Sequence, residues 1–231
     1  KDREIWEENY DTVNLRSDIL VSDRVLKLLG NVQGKNILDI GCGNGKFARR
    51  LAQGGAKVFA IDIVLEQIEF AKKIEGEKNQ GINYFVGNIQ ELNNIDFSIE
   101  KFDVVISLMT HLYLSEKDFV NSFKIISNKL GGEGRFIYGN IHPTRIALYE
   151  KKNYFESQLL KVELPTLGGK VFSTEFYHHP MDVVLNSIVN SGLKIKQIYE
   201  PQPNDLEIKK YPTLLDPNDK LPQYLIIDTI K

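Results

Sequence analysis

The sequence predicts an α/β fold, built as a doubly wound and mostly parallel sheet of seven strands with a C-terminal antiparallel strand and an inserted cap. Two observations predict this class. From residue 35 to residue 141, short apolar runs alternate with longer stretches of helical spacing, which is the rhythm of consecutive βαβ units. The first apolar run is followed at once by the glycine-rich turn GCGNG, and ligands bind beside such turns in open α/β sheets.

The elements of the core follow from their spacing. ILVSDRVLKLLG predicts an amphipathic helix, and the strand KNILDI, the glycine turn and the helix KFARRLAQGG form the first strand–turn–helix unit. AKVFAID and IVLEQIEFAKKIEG predict the next strand and helix, and INYFVGNI a third strand. KFDVVISL predicts a fourth strand, EKDFVNSFKIISNKL a long helix and GRFIYGNI a fifth strand. Together they predict a Rossmann-like sheet with helices on both faces.

The rhythm changes after residue 141. Aromatic side chains are scattered without one period between residues 144 and 176, which favours an inserted substrate cap over 144–177. MDVVLNSIVNSG then predicts a helix, LKIKQIYE and QYLIIDTI predict the final strands, and the proline-rich stretch between them predicts a long loop. We expect a single domain over residues 1–231, with a cofactor-binding core at 35–141 and the C-terminal helix and final strands at 178–231.

Composition narrows the possible functions. Of the 231 residues, 42% are hydrophobic and 26% are charged, which is typical of folded globular proteins. The formal net charge is -2, so the chain has no overall positive field that would hold a nucleic acid. No apolar stretch reaches the roughly 18 residues needed to span a bilayer, and we expect no membrane partner. A single cysteine and a charged start predict a reducing, cytoplasmic setting.

The glycine turn departs from two common phosphate-binding patterns. A phosphate loop needs glycine five positions before Gly45 and a hydroxyl residue after Lys46, where the chain has Ile40 and Phe47. The dinucleotide fingerprint needs glycine at the position of Lys46. Asp39, at the mouth of the turn, would repel a diphosphate and attract a ligand with a positively charged end.

The stretch LDIGCGNG resembles the first motif of the class I S-adenosylmethionine-dependent methyltransferases. The resemblance continues at Asp62, which ends the second predicted strand, and at the GNI of residues 87 to 89. It covers residues 35 to 141 and implies S-adenosylmethionine as the cofactor, with S-adenosylhomocysteine as its product.

The resemblance implies roles for individual residues. Asp39 would meet the ammonium group of the cofactor, and Asp62 would accept hydrogen bonds from both ribose hydroxyls. Asn88 stands where the family often has aspartate, and its amide oxygen can accept the same hydrogen bond from the adenine amino group. Further expected cofactor contacts are Tyr10, Arg16, Gly41, Cys42, Gly43, Gly45, Ile63, Ile89, Ser107 and His111.

Several of these residues have a second interpretation. Tyr10 and Arg16 could meet the cofactor's carboxylate, whereas Tyr10 and Trp6 could equally pack an N-terminal helix onto the sheet. Cys42 is a small residue suited to a tight turn. His111 is either a wall of the methionine pocket or a structural residue.

Histidines are the candidate bases, because methyl transfer needs a base only where the acceptor keeps its proton. The chain has four histidines. We expect His142, after the fifth strand, and His178, where the cap rejoins the core, to face the substrate cavity and act in catalysis. The alternative is that each is a hydrogen-bonded turn residue, because proline follows closely in both places.

The acceptor is predicted to be a small molecule. SLMT follows the fourth strand, where amino-methylating DNA enzymes resemble one another in an [NDS]-P-P-[YF] motif, and the double-glutamate loop of protein arginine methyltransferases is missing there. We therefore expect methylation of an oxygen or nitrogen of a partly apolar acceptor by a monomer or homodimer without a metal. The alternatives are a non-catalytic S-adenosylmethionine-binding regulator or scaffold and an oxidoreductase that uses a nicotinamide dinucleotide.

Overall fold

The computed structural model describes residues 15–145, 153–165, 171–216 and 220–231. The strands in these ranges are β1 (Asn36–Ile40), β2 (Lys57–Asp62), β3 (Asn83–Val86), β4 (Phe102–Leu108), β5 (Leu130–Ile141), β6 (Gln158–Pro165), β7 (Val171–His178), β8 (Lys194–Tyr199) and β9 (Tyr224–Ile230). Seven of them form one sheet in the order β3-β2-β1-β4-β5-β9-β8. β9 is antiparallel to both of its neighbours, and the other neighbouring pairs are parallel. The predicted fold class is confirmed.

Helices cover both faces of this sheet. They are α1 (Leu15–Ser17), α2 (Asp23–Leu29), α3 (Lys46–Gln53), α4 (Leu65–Lys78), α5 (Glu116–Lys129), α6 (Met181–Asn190) and α7 (Asp205–Lys210). One face packs against α2, α3 and α4, and the other packs against α5 and α6. Ile37 and Leu38 of β1 belong to the two different cores because side chains alternate along a strand. Within the described ranges, every helix is too short or too polar to cross a bilayer.

The first predicted helix contains one irregular turn. Asp18–Ser22, between α1 and α2, is π-helical, and Ile19, Leu20 and Val21 inside it are buried. Such wide turns inside helices are frequent at functional sites, because they redirect side chains locally. Here the π-turn lies beside the carboxyl edge of the sheet, as described below.

The region of the expected cap contains a β-hairpin. β6 and β7 pair antiparallel, and Leu160 lies opposite Phe176. These two side chains are buried, whereas Lys161 and Glu175, which share the opposite face, are exposed. The hairpin therefore has an apolar inner face and a charged outer face.

The prediction of one long loop between the last two strands is wrong in part, because the helix α7 lies between them. Asn204 begins this helix with a reciprocal capping box, in which its side chain and that of Glu207 each accept a backbone N–H from the other residue. The two guanidinium nitrogens of Arg24 in α2 donate to Glu207 at 2.7 and 2.6 Å. The proline-rich composition concealed a helix that depends on this cap and on α2.

Candidate functional site

The glycine turn joins β1 to α3 in a left-handed backbone conformation. Its φ angles are 73° at Gly41, 52° at Gly43 and 76° at Gly45. Residues with a Cβ rarely adopt such angles, so the backbone alone favours glycine at all three positions.

Two of the glycines are also required by neighbouring side chains. A Cβ on Gly41 would collide with the side chain of Thr110, whose hydroxyl donates to the Ile40 carbonyl at 3.0 Å. A Cβ on Gly45 would collide with the hydroxyl of Tyr84 in β3. The resemblance implies that these glycines contact the cofactor, and the structure adds that protein side chains already fill the space beside Gly41 and Gly45.

Asp62 at the end of β2 holds the turn from the side. Its Oδ2 accepts the Gly43 amide at 2.8 Å, and its Oδ1 accepts the Val64 amide at 2.9 Å. Each carboxylate oxygen has a second lone pair available for a ligand. The next side chain, Ile63, is 65% exposed and offers an apolar surface beside the carboxylate.

Asp39 carries a buried carboxyl group, one oxygen of which no donor reaches within the described ranges. It is 3% exposed, and its Oδ2 has no hydrogen-bond partner among the described residues. Burial and then the charge of Asp62 raise the pKa of Asp39 to about 7. Because buried polar atoms are normally satisfied, this oxygen is a candidate ligand-binding atom.

Asp39 lines a cavity of about 90 Å³ at the carboxyl edge of the sheet. The π-turn contributes Asp18 and Ser22 to its wall, and Asp18 Oδ2 lies 2.7 Å from Lys46 Nζ. Cys42 also lines the cavity, and burial raises the pKa of its thiol. The thiol therefore stays protonated, consistent with a small residue in a tight turn.

Arg16, in α1, directly precedes Ser17, which lines the cavity, and Tyr10 and Trp6 lie outside the described residues. The roles predicted for Arg16 and Tyr10 at the cofactor's carboxylate remain predictions.

Asn88 and Ile89 follow β3 at the same edge. Asn88 Oδ1 accepts the Gln90 amide at 2.9 Å and begins the 3₁₀ helix Ile89–Asn94. Ile89 is 6% exposed and packs in the core. The amide oxygen of Asn88 has one lone pair left for an adenine amino group, and its predicted role stays a prediction.

His111 belongs to a buried hydrogen-bond chain. Its Nδ1 lies 2.9 Å from Ser107 Oγ and its Nε2 lies 3.0 Å from Ser122 Oγ. Ser122 Oγ donates to the Phe119 carbonyl at 2.6 Å, so it accepts from His111 Nε2, and Nδ1 accepts from Ser107. Burial, and then the neighbouring His179, lower the pKa of His111 to about 3. The ring is therefore neutral near pH 7.

The sheet separates this chain from Asp39. Asp39 pairs with Ile106 in β4, so the adjacent Ser107 points to the opposite face. Neither Ser107 nor His111 lines the cavity beside Asp39. The structure assigns both to the core under α5, which favours the structural interpretation of His111.

His142 lies directly after β5, and each of its ring nitrogens lies close to a side-chain oxygen. Nδ1 is 2.7 Å from Thr144 Oγ1, and Nε2 is 3.0 Å from Glu200 Oε1. The side chain is 4% exposed. Burial lowers the pKa of His142, and the Glu200 carboxylate acts in the opposite direction.

His178 at the end of β7 is fully buried. Its Nε2 donates to the Tyr154 carbonyl at 2.8 Å, and its Nδ1 has no partner among the described residues. Burial lowers the pKa of His178, and the hydrogen bond to Tyr154 opposes that shift. The ring is neutral, and Nδ1 keeps a free lone pair.

The structure adds residues that the sequence did not single out. Tyr113 follows β4 and is 55% exposed, and its ring centroid lies 5.7 Å from that of Phe176 in the hairpin. Met109 lines the Asp39 cavity with a φ of 58°, rare for a side chain of this kind. Neither property follows from a local sequence pattern.

Comparison with known proteins finds a methyltransferase domain in the chain. A family model described as a methyltransferase domain matches residues 37–134, which include the turn, Asp39 and Asp62. Over this stretch the chain is similar to methyltransferases. An S-adenosylmethionine-dependent methyltransferase of Mesorhizobium loti has the same fold, with a TM-score of 0.69 and 22% identity, over 90% of this chain and 96% of that one.

Two further similar proteins have more specific names. Magnesium protoporphyrin IX methyltransferase of Synechocystis, with bound S-adenosylhomocysteine, matches with a TM-score of 0.68 and 17% identity over 95% of this chain and 85% of that one. A ubiquinone biosynthesis O-methyltransferase of Haemophilus ducreyi is 40% identical over 74 residues. The matched part spans 31% of this methyltransferase and 31% of that relative.

The resemblance of the glycine turn implies S-adenosylmethionine as the cofactor. When bound, it supplies a methyl group on a sulfonium centre to a nucleophile. The described residues fit such a ligand, since Asp39 offers a buried, unpartnered carboxyl oxygen in a cavity and Asp62 keeps lone pairs beside the turn.

The first prediction concerns the pH dependence of ligand binding. A pKa of about 7 leaves Asp39 largely protonated at pH 6, and an ammonium group beside it favours the carboxylate. Binding of S-adenosylhomocysteine should therefore release a proton, and its affinity should be roughly tenfold weaker at pH 6 than at pH 8. Titration calorimetry in buffers of different ionisation enthalpy measures both effects. Asp39→Asn should remove the pH dependence, and equal wild-type affinities at both pH values would contradict the prediction.

The second prediction concerns Asp62. Asp62→Ala should weaken S-adenosylhomocysteine binding by about 100-fold or more, because it removes acceptors for charge-assisted hydrogen bonds and the anchor of the Gly43 amide. Glu75→Gln is the matched control, since Glu75 also accepts backbone amides, from Gly81 and Ile82. Calorimetry measures affinity and circular dichroism checks folding. A folded Asp62→Ala variant with undiminished affinity would exclude Asp62 from the site.

Proposed function

We propose that this methyltransferase transfers a methyl group to an oxygen or nitrogen of a small, partly apolar molecule held between the carboxyl edge of the sheet and the β6–β7 hairpin. The observation that carries the proposal is the edge-to-face contact of Tyr113 with Phe176, at 5.7 Å between ring centroids. Tyr113 follows β4 and Phe176 belongs to β7, so this contact sets the hairpin over the edge at which ligands bind in open α/β sheets.

The cofactor would lie along the glycine turn. Its ammonium group would meet Asp39, its ribose hydroxyls would donate to Asp62, and its adenine would lie against Ile63 beside Asn88. The lone pairs and exposed apolar surface of these residues support this arrangement. The methyl group would then point toward the space between Tyr113 and the hairpin.

The hairpin supplies apolar surface for the acceptor. Leu160 and Phe176 are buried on its inner face, and Val162 and Thr174, the next pair on that face, are half-buried. Small-ligand cavities are lined mainly by such side chains, with few polar groups. The net charge of -2 argues against a nucleic acid in the same place.

The names of two relatives agree with a small acceptor. One acts in ubiquinone biosynthesis as an O-methyltransferase, and another is a magnesium protoporphyrin IX methyltransferase. Both names describe cyclic molecules with large apolar parts. We therefore favour an acceptor of this general class, without assigning either molecule to this chain.

A histidine base would assist where the acceptor carries a proton. His142 lies just beyond β5 and His178 is the last residue of β7, and burial favours the neutral ring of both, as a base must be neutral before it accepts a proton. His178 presents a free Nδ1 lone pair but is fully enclosed. His142 contacts the half-buried hydroxyl of Thr144, through which a proton could reach the imidazole from the edge of the sheet.

The third prediction tests the place of the acceptor. Phe176→Ala should raise the KM for the acceptor about tenfold, by loss of apolar contact, and leave S-adenosylhomocysteine affinity unchanged. Methyl transfer is followed with labelled S-adenosylmethionine and a panel of phenols, carboxylic acids and amines. Phe155→Ala is the control, because Phe155 precedes the same hairpin and is 83% exposed. An unchanged KM in Phe176→Ala would place the acceptor elsewhere.

A further inference from the structure

Three side chains form a line at the corner beyond β5. Glu200 Oε1 lies 3.0 Å from His142 Nε2, and His142 Nδ1 lies 2.7 Å from Thr144 Oγ1. Glu200 directly follows β8, which is parallel to β5, so both strands bring their carboxyl ends to this corner. The line therefore runs along the same edge of the sheet as the glycine turn.

The backbone fixes the direction of the protons in this line. The Thr144 amide donates to His142 Nδ1 at 3.2 Å, so Nδ1 is the unprotonated nitrogen. The ring proton is then on Nε2, which lies 3.0 Å from Glu200 Oε1 without a well-aligned hydrogen bond to it. The Thr144 hydroxyl also donates to Nδ1, and its oxygen lone pairs remain available.

Thr144 and Glu200, on either side of His142, differ in solvent exposure. The His142 side chain is 4% exposed, so an acceptor would reach the imidazole through a neighbouring group. Thr144 is half-buried, and its hydroxyl is that neighbour. The side chain of Glu200 is 55% exposed and keeps its charge in contact with water.

The corner adjoins the cofactor cavity. Tyr224, which pairs with Ile141 at the end of β5, has a pKa that burial raises and that the charges of Arg145, Arg16 and Asp18 also influence. Asp18 is itself a wall of the cavity beside Asp39. Within the described ranges, the ionisable groups at this corner include Glu200 beyond β8, Arg145 on the turn after β5, and Tyr224 on β9, over whose ring Arg145 lies.

We propose that Glu200, His142 and Thr144 form a proton relay in which Thr144 Oγ1 takes the proton of the acceptor, and that the acceptor group is consequently a hydroxyl. The inference rests on the proposed function and narrows it to O-methylation of an alcohol or phenol. A carboxylic acid is already ionised near neutral pH and needs no such relay.

The proton and electron balance of the step is simple. The acceptor oxygen forms a bond to the methyl carbon as the carbon–sulfur bond breaks and its electron pair stays on sulfur. The acceptor's proton passes to Thr144 Oγ1, and the Thr144 proton passes to His142 Nδ1. The imidazolium that results is stabilised by Glu200 and later loses its proton to water. Thr144 is the catalytic residue that touches the acceptor, His142 is the base acting through it, and Glu200 is a positioning residue.

The fourth prediction compares hydroxyl deletion with hydroxyl retention. With catechol and phenol as acceptors, Thr144→Val should lower kcat/KM about 100-fold or more, whereas Thr144→Ser should stay within a few-fold of wild type. His142→Gln should lower kcat/KM by a similar factor and leave the affinity for S-adenosylhomocysteine unchanged. Thr213→Val, at an exposed threonine, is the matched control. Benzoate and benzylamine serve as acceptors that carry a carboxylate and an amine.

A pH profile separates the relay from a structural role. His142 must be neutral, so kcat/KM should rise as the pH increases through its pKa. Glu200 opposes the lowering of that pKa, and Glu200→Gln should therefore move the rising limb to lower pH. Histidine ¹⁵N NMR of the S-adenosylhomocysteine complex should show the proton on Nε2 and the same pKa decrease. Glu133→Gln, at an exposed position on β5, should change neither.

The outcomes distinguish this inference from the broader proposal. Methylation of benzoate or benzylamine, with both hydroxyl compounds inert, would overturn the relay and leave small-molecule methyl transfer intact. Full activity toward a hydroxyl in Thr144→Val would also overturn it. Inertness of the whole panel despite normal S-adenosylhomocysteine binding would contradict the proposed acceptor class, and the relay with it.

Discussion

The hydrogen bond from the Gly43 amide to the Asp62 carboxylate fixes the part of the molecule on which its ligand chemistry depends. It ties the turn after β1 to the end of β2. Tyr84 from β3 fills the space beside Gly45, and Thr110, which follows β4, fills the space beside Gly41. Residues on or just after β2, β3 and β4 thus contact the turn that follows β1. Among the described residues no donor reaches Asp39 Oδ2, which lies behind this turn, so this oxygen remains available as an acceptor.

Much of the fold could be predicted because its signals are local. Short apolar runs and helical spacing identified the strands and helices of the core, and the predicted sheet class was confirmed. The exceptions depend on contacts between distant residues. α7 is stabilised by Arg24, 183 residues away from Glu207, and the hairpin alternates across two strands and so shows no single period. The π-turn at Asp18–Ser22 likewise left no pattern in the sequence.

The candidate site could be proposed from the sequence where a motif and a position at a strand end point to the same residues. Asp39, Asp62 and the glycines were proposed in this way, and their roles remain predictions. Histidine roles were harder, because a ring at a strand end can turn toward either face. Ser107 and His111 turned into the core, and only coordinates show that His142 has Thr144 on one side and Glu200 on the other. Tyr113 was missed because its partner Phe176 lies far along the chain.

The placement of β9 between β5 and β8 has a consequence for biosynthesis. β8 precedes β9 in the chain, yet it reaches the sheet only through β9, since β5 and β8 do not pair. While the ribosome is still making residues 224–230, β5 has an open edge and β8 has no partner. The corner at which His142 lies beside Glu200 can therefore form only after this strand has been made.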